Sequence, residues 1–374
     1  MSTFLQLHLL TSYPPANLNR DDMGRPKTAK MGGVDRLRIS SQSLKRAWRT
    51  SDIFQSAMKG HIGTRTKELG LRIHAKMIEG NKIKAEDARK WARMIAGTFG
   101  KLKDSDKKDK AKLVDLEIEQ LAHISPQEMA SVDALVSSIV REPREPNADE
   151  LALLQKPETA VDIALFGRML TKNARDESLV DYSQGAACQV SHAISVHPVV
   201  IEDDYFTAVD DLNDGSEDRG SAHIGERGFA AALFYTYICI NRDSLKENLG
   251  GNEDLTQKAL AALTETVAKV TPEGMQNSYG SRAYATYVLA EKGTMQPRSL
   301  SVAFLKPVTG MDYHSEASKR LEAIYQSMDV AYGQCAEKRY SFDVFALELA
   351  ADKKPEAKVA IKNKMQELIE FVAR

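Results

Sequence analysis

Residues 17–49 read NLNRDDMGRPKTAKMGGVDRLRISSQSLKRAWR, and the rest of the chain is organised around them. A polar loop carries Arg20, Asp21, Asp22, Arg25, Lys27 and Lys30. After Gly32 and Gly33 comes a short apolar-basic run, Arg36-Leu37-Arg38-Ile39. A helix then starts at Ser40 or Ser41, whose hydroxyl can accept from the orphan amides of the first turn. At 100° per residue, Gln42, Lys45, Arg46 and Arg49 fall in one sector, with Leu44, Ala47 and Trp48 opposite. The stretch holds nine Lys and Arg against three Asp. A focused basic face beside hydroxyls and amides at a helix start suits phosphate oxygens. A solvated amphipathic helix has the same pattern, so both readings stand at this point.

Working outward, residues 3–11 alternate, are rich in Leu and His, and read as a strand ended by Tyr13-Pro14-Pro15. The whole chain, 374 residues with a formal net charge of −1, has the composition of a soluble globular protein. Near-neutrality excludes a generally basic nucleic-acid coat, so any polyanion site is a local patch. Three scattered cysteines, Cys188, Cys239 and Cys335, point to a reducing, cytoplasmic compartment and away from structural zinc. The opening residues read as no signal peptide, and no run reaches about 18 consecutive apolar residues, so no membrane span is expected.

Residues 51–158 look like a helical insertion. Residues 84–102 and 113–121 read as helices, and Ser125-Pro126-Gln127-Glu128 as a helix start with cap, proline and capping-box glutamate. A β pattern then resumes, with strands expected at 161–166, 188–200, 229–240, 284–290 and 300–305. Helices are expected at 254–270, 313–336 and 355–373. Between two strand-like runs, residues 201–228 form an acidic, glycine-containing excursion. Interspersed strands with clean alternation favour an α+β fold on a mainly antiparallel sheet.

The chemistry is mostly exclusion. His192 and His197, an odd number apart on a strand, make a poor metal pair. The pairs Asp21/Asp22, Asp203/Asp204 and Asp210/Asp211 are sequence neighbours, which rarely converge on one cation; Asp21 and Asp22 better serve to order the loop. No P-loop and no G-x-S-x-G elbow occurs. Gly32-Gly33 and Gly250-Gly251 read as turns. Tyr279-Gly280-Ser281-Arg282 reads as a hairpin loop or a contact point. Tyr205 and Phe206 either anchor the acidic excursion to its own core or wedge against bases or a partner.

Taken together, LNRDD (18–22), Gly32-Gly33, RISSQSLKRA (38–47), VDIAL (161–165), GRM (167–169), SHAI (191–194), YFTAVDDL (205–212), GSAH (220–223) and ENLGG (247–251) resemble the CasC-type backbone subunits of type I-E CRISPR Cascade complexes. The motifs occur in family order over roughly residues 1–310; residues 51–158 and the last fifty or so resemble the family only loosely.

The resemblance implies a modified RRM-like (ferredoxin-like) antiparallel-sheet palm in segments 1–50, 159–200 and 227–374, the last with C-terminal helices. It also implies helical fingers at 51–158 and a thumb hairpin at 201–226. Copies would polymerise along the spacer part of a guide RNA. Each palm grips the RNA backbone, and each thumb kinks the guide and splays out a base. The implied partners are the guide RNA (crRNA), further copies, other Cascade subunits and, through the guide, the target DNA strand, with no catalysis, cofactor or metal. Carried position by position, RNA gripping falls on Arg20, Lys27, Ser40, Gln42, Lys45, Arg46 and Arg49, and the apolar wedge on Met169, Tyr205 and Phe206. The family commonly has Trp where Tyr205 stands, and Asp35 departs from its basic run. A metal-dependent ribonuclease of a related effector, using Asp22 or Asp35, is the alternative. A scaffold for any guide must hold phosphates and ribose while leaving base edges free, as this residue set does.

Overall fold

The computed structural model describes residues 2–80, 82–105, 112–170, 182–208, 223–347 and 363–374. The chain divides into two compact units: Met1–Ala57 with Cys188–Arg242 and Gln257–Arg374, and Met58–Ala187 with Asp243–Thr256. It is a mixed α/β protein built on an antiparallel sheet.

The first unit holds a nine-stranded sheet: β1 (Phe4–Ala16), β2 (Thr28–Met31), β3 (Val34–Ile39), β4 (Cys188–Val190), β5 (Ala193–Ser195), β6 (Glu202–Ala208), β7 (His223–Asn241), β8 (Ala285–Gly293) and β9 (Lys338–Asp343). The order is β9-β8-β1-β7-β5-β3-β2, with β4 and β6 also on β7, and every pairing is antiparallel. β1 is central and buried from Leu5 to Thr11; Leu5, Leu7 and Leu9 make one face apolar, while the other sets the buried polar side chains of Gln6 and His8 beside Leu10. On one face Leu10, Leu233, Tyr235, Tyr287 and Leu289 pack under Leu300, Phe304, Ala317 and Leu321, from the turn Ser301–Phe304 and the helix Tyr313–Tyr332.

On the same face, beside this core, a charge cluster surrounds the buried carboxylate of Glu291. Glu291 accepts from Arg298 at 2.6 and 3.0 Å and from Arg339 at 2.7 Å, and lies 3.2 Å from His8 Nε2. Burial alone would raise the Glu291 pKa, but these partners outweigh it and hold the carboxyl well below its ordinary value.

The second unit packs the helices Leu69–Ile78, Ala85–Gly97 and Pro126–Arg141 around Ile73, Met77, Trp91, Ile95, Phe99, Leu116, Val132, Val136 and Ile139. The expected helix start is present: Ser125 accepts from the Glu128 N–H at 3.3 Å, and Glu128 returns to the Ser125 N–H at 2.8 Å.

Several expectations are corrected. VDIALF at 161–166 is a helix, Val161–Phe166, not a strand. All but its last residue are buried, and the carboxylate of Asp162 accepts from the Gly63 N–H at 2.8 Å and lies 2.8 Å from His123 Nε2. A short run buried all round has no period with which to tell helix from strand. Residues 300–305 form the 3-10 turn Ser301–Phe304. The strand expected at 188–200 is β4 and β5, interrupted at Ser191 and His192. Residues 113–121 carry the 3-10 turn Val114–Leu116 instead of a helix, and the helix Leu69–Ile78 has no counterpart among the expected elements. Part of the helix expected at 355–373 lies outside the described residues; the described part is Lys364–Ala373. Among the described residues no helix is long and apolar enough to cross a membrane.

Candidate nucleic-acid interface

The loop ahead of β2 is self-ordered. The Asp21 carboxylate accepts from the N–H groups of Met23 at 3.0 Å and Arg25 at 2.9 Å. Asn17 donates to the carbonyls of Gly24 and Gly228, both at 2.9 Å. β2 and β3 form a hairpin whose two-residue turn needs positive φ twice, at Gly32 (64°) and Gly33 (81°). Gly32 also lies against the Leu305 carbonyl, where an added Cβ would come to 1.7 Å.

The helix α1 (Ser41–Thr50) follows. Ser40 caps it, accepting from the Ser43 N–H at 3.3 Å, and the Ser40 N–H donates to Asn19 Oδ1 at 2.8 Å. So Asn19 ties the loop to the helix start. Leu44, Ala47 and Trp48 are buried, leaving Gln42 and Arg46 exposed and Lys45 and Arg49 half-buried on the outer side. Arg20 and Arg46 line one groove of about 510 Å³ with Asp21, Asp22, Ser43 and Glu273. The structure thus brings Arg20 and Arg46 together. It shows Ser40 as a nearly buried cap whose hydroxyl is already bound to the helix.

The basic run is not uniform. Arg36 is fully buried and donates to the carbonyls of Met31 (3.2 Å), Ser195 (2.9 Å) and Phe304 (2.9 Å). It is a bolt between the hairpin, β5 and the turn Ser301–Phe304, and burial pulls its pKa down. Arg38, two residues on, is only half-buried and donates to His192 Nδ1 at 3.0 Å. Neither Arg38 nor His192 is in the expected gripping set, and nothing in the sequence separates Arg36 from Arg38.

β6 and β7 pair from Glu202↔Phe229 to Ala208↔His223. Asp203 bridges Arg25 at 2.9 Å within the same chain, so that part of the acidic excursion is engaged by its own basic loop. Tyr205 and Phe206, adjacent on a strand, face opposite sides. Phe206 lies opposite Gly225, where a Cβ would come to 2.3 Å from its ring, and Arg227 stacks over it at 4.4 Å. Tyr205 is 66 % exposed. Residues 209–222, with Asp210, Asp211 and Gly220-Ser221-Ala222, lie outside the described residues.

Met169 belongs to the second unit and is 87 % exposed. It follows Gly167, at φ 83°, and the buried Arg168, which donates to Glu128 at 2.7 Å and to the carbonyls of Gln155 and Tyr182, both at 2.9 Å. In the ENLGG motif of that unit, Asn248 donates to the carbonyls of Ala164 and Gly185, and Gly250 and Gly251 turn at positive φ. Both features are local scaffolding.

His197 stacks on Tyr313 at 4.1 Å and its Nε2 accepts from the Leu233 N–H, while His192 pairs with Arg38, so the two imidazoles serve separate contacts. Ser281 is buried and takes a hydrogen bond from Gln276 at 3.1 Å, while Gly280 and Arg282 on either side of it are exposed. Asp35 is exposed opposite Lys30, and Asp22 is exposed on the loop. Among the described residues no three His, Cys, Asp or Glu side chains gather into a group that could hold a metal ion. Within the sheet unit, the described residues offer the cations of the loop and of α1 and the exposed ring of Tyr205.

Comparison with known proteins gives three findings. The sequence model of the CT1975-like protein family matches residues 5–371. No curated protein sequence matches the chain. Among solved structures, a chain of a "CRISPR RNA-guided surveillance complex, pre-nicking" shares 26 % identity at a TM-score of 0.79, with 99 % of both chains covered. A chain of a "CRISPR RNA-guided surveillance complex" shares 23 % identity at a TM-score of 0.57, covering 99 % of this chain and 98 % of that one, and bears on the fold alone. With the family match running nearly from end to end, the chain belongs to the CT1975-like protein family.

Proposed function

We propose that this chain is a backbone subunit of a CRISPR RNA-guided surveillance complex of the Cascade type, close to the CasC-type subunit of type I-E, and that it binds guide RNA through its phosphates without catalysis. The observation that carries the reading is the one-sided row on α1, Gln42, Lys45, Arg46 and Arg49, continued by Arg20 across a shared groove. The sheet unit acts as an RRM-like palm, with Lys27 adding a cation and Ser40 fixing the helix. The β6/β7 ribbon acts as a thumb that reaches a neighbouring copy, and the helical unit as fingers. Repeated copies line up along the guide and kink it at intervals. Tyr205 and Met169 supply the apolar contact at the kink, with Phe206 stiffening the ribbon behind Tyr205. Bases stay free to pair with target DNA, and other Cascade subunits cap the array in the cytoplasm. The likeness to a chain of an RNA-guided surveillance complex supports the backbone reading.

The test is filter binding of single-stranded RNA over a salt series with a Lys45→Glu/Arg49→Glu double variant. Each lost phosphate contact is expected to remove about 0.7 from the slope of log K against log salt. Wild-type affinity and slope in the double variant overturn the palm assignment.

A further inference from the structure

Lys27, Arg38 and His192 form a short row beside the turn between β4 and β5. Arg38 lies opposite Ile194 in the β3/β5 pair, so His192 is its diagonal neighbour. On the other flank, the Arg38 N–H donates to the Lys27 carbonyl at 2.8 Å. A guanidinium carries donors only. The 3.0 Å contact from Arg38 to His192 Nδ1 therefore requires an unprotonated Nδ1, leaving Nε2–H as the imidazole's donor. His192 is exposed, and Arg38 and Lys27 are half-buried.

The charged groups acting on His192 are both cations. Partial burial first, then Arg38 from β3, then Lys27 from the loop, disfavour its protonation. From β7, Tyr237 adjoins: its N–H donates to Ser191 Oγ at 3.0 Å and its phenol donates to Gln6. Burial holds that phenol far above its ordinary value, so it stays neutral. The unliganded row thus has an imidazole standing as acceptor where an anion would otherwise sit.

We propose that Lys27, Arg38 and His192 make a second phosphodiester subsite, and that Arg38 exchanges its hydrogen bond to His192 for one to the phosphate as RNA binds, leaving Nδ1 to take a proton from solvent. The proposal rests on the RNA-binding reading above. A phosphate beside the row reverses the local sign of charge and favours imidazolium, which then adds a second donor. Binding takes up a proton, so affinity rises as pH falls. His192 makes the site read pH, a property the α1 row of Lys and Arg lacks.

The test is filter binding of a radiolabelled oligouridine, whose bases do not titrate in the working range, at constant ionic strength from about pH 8 to about pH 6. Wild type is compared with His192→Gln, which cannot protonate, with Arg38→Gln, and with Lys45→Glu/Arg49→Glu. Circular dichroism checks folding of each. The wild-type gain in affinity on acidification is expected to exceed that of His192→Gln by about three- to tenfold, tenfold being one unit of pKa displacement. Arg38→Gln is expected to lose the same component and about 0.7 of salt slope. In NMR spectra, the His192 ring titration is expected to move upward on adding RNA. Matching pH profiles for wild type and His192→Gln, with RNA binding intact and lowered by Lys45→Glu/Arg49→Glu, overturn the subsite alone. Absence of RNA binding in every protein overturns the parent reading, and this one with it.

Discussion

Replacing Arg36 by methionine separates structure from grip within one basic run. The methionine keeps the apolar stem but leaves the carbonyls of Met31, Ser195 and Phe304 without their donor. A buried acceptor left bare costs about 1–3 kcal/mol, and three are involved. Relief from desolvating the guanidinium offsets part of this, leaving a net cost of about 2–4 kcal/mol. Against a domain stability of roughly 5–15 kcal/mol, that is a large fraction. The two tryptophans fall one in each unit, so Trp48 fluorescence in a Trp91→Phe background reports the sheet unit. The urea midpoint is expected to fall by about 1 M or more at unchanged m-value. Below that midpoint, Arg36→Met should bind RNA with wild-type salt slope, although Arg38→Gln two residues away lowers it. A midpoint shift under about 0.3 M would refute the assignment of Arg36 as a bolt.

Two more outcomes concern the thumb and acid stability. Tyr205→Ala, at an exposed position, should leave monomer stability within about 0.5 kcal/mol while shortening assemblies on guide RNA in electron micrographs. Filaments of wild-type length would remove Tyr205 from the kink. Phe206→Ala loses its packing on Gly225 and Arg227 and should expose the β6/β7 ribbon to protease in the monomer; wild-type digestion rates would count against that packing. Glu291 has a folded pKa depressed below the ordinary 4.5, so its stabilising contribution is complete above that pH. It is lost as pH falls toward the lower folded value. Urea midpoints of wild type should therefore drop more steeply than those of Glu291→Gln below about pH 4.5. Parallel curves would contradict the charge cluster.

How much was legible depended on period and partner. β1, α1 and the Ser125 capping box are set by local pattern, and all could be read directly. The palm row on α1 was legible because Leu44, Ala47 and Trp48 define its opposite side. The helix Val161–Phe166 was not, since a six-residue run buried on all sides carries no alternation. Arg36 and Arg38 share a strand face and a chemistry. Only the turn Ser301–Phe304, folding back from far along the chain, covers one of them. Tyr205 and Phe206 read as one aromatic pair, yet strand alternation splits them between the two ribbon faces. For His192 the pattern gave only a poor metal pairing with His197, because its partner Arg38 lies on another strand.

The sheet's connectivity also bears on how the chain is made. β1 ends at Ala16 and pairs on both sides with β7 and β8, which begin only at His223 and Ala285, so both its neighbours are synthesised long after it. At roughly 5–20 residues per second, β1 leaves the ribosome about 10–45 s before β7 is complete. During that delay the leucine-rich β1 has neither edge occupied, and in its later part the core from Leu69 to Leu153 is already fully translated. Nascent chains should therefore be most prone to aggregate, and most often chaperone-bound, in the interval between completion of the helical core and arrival of β7.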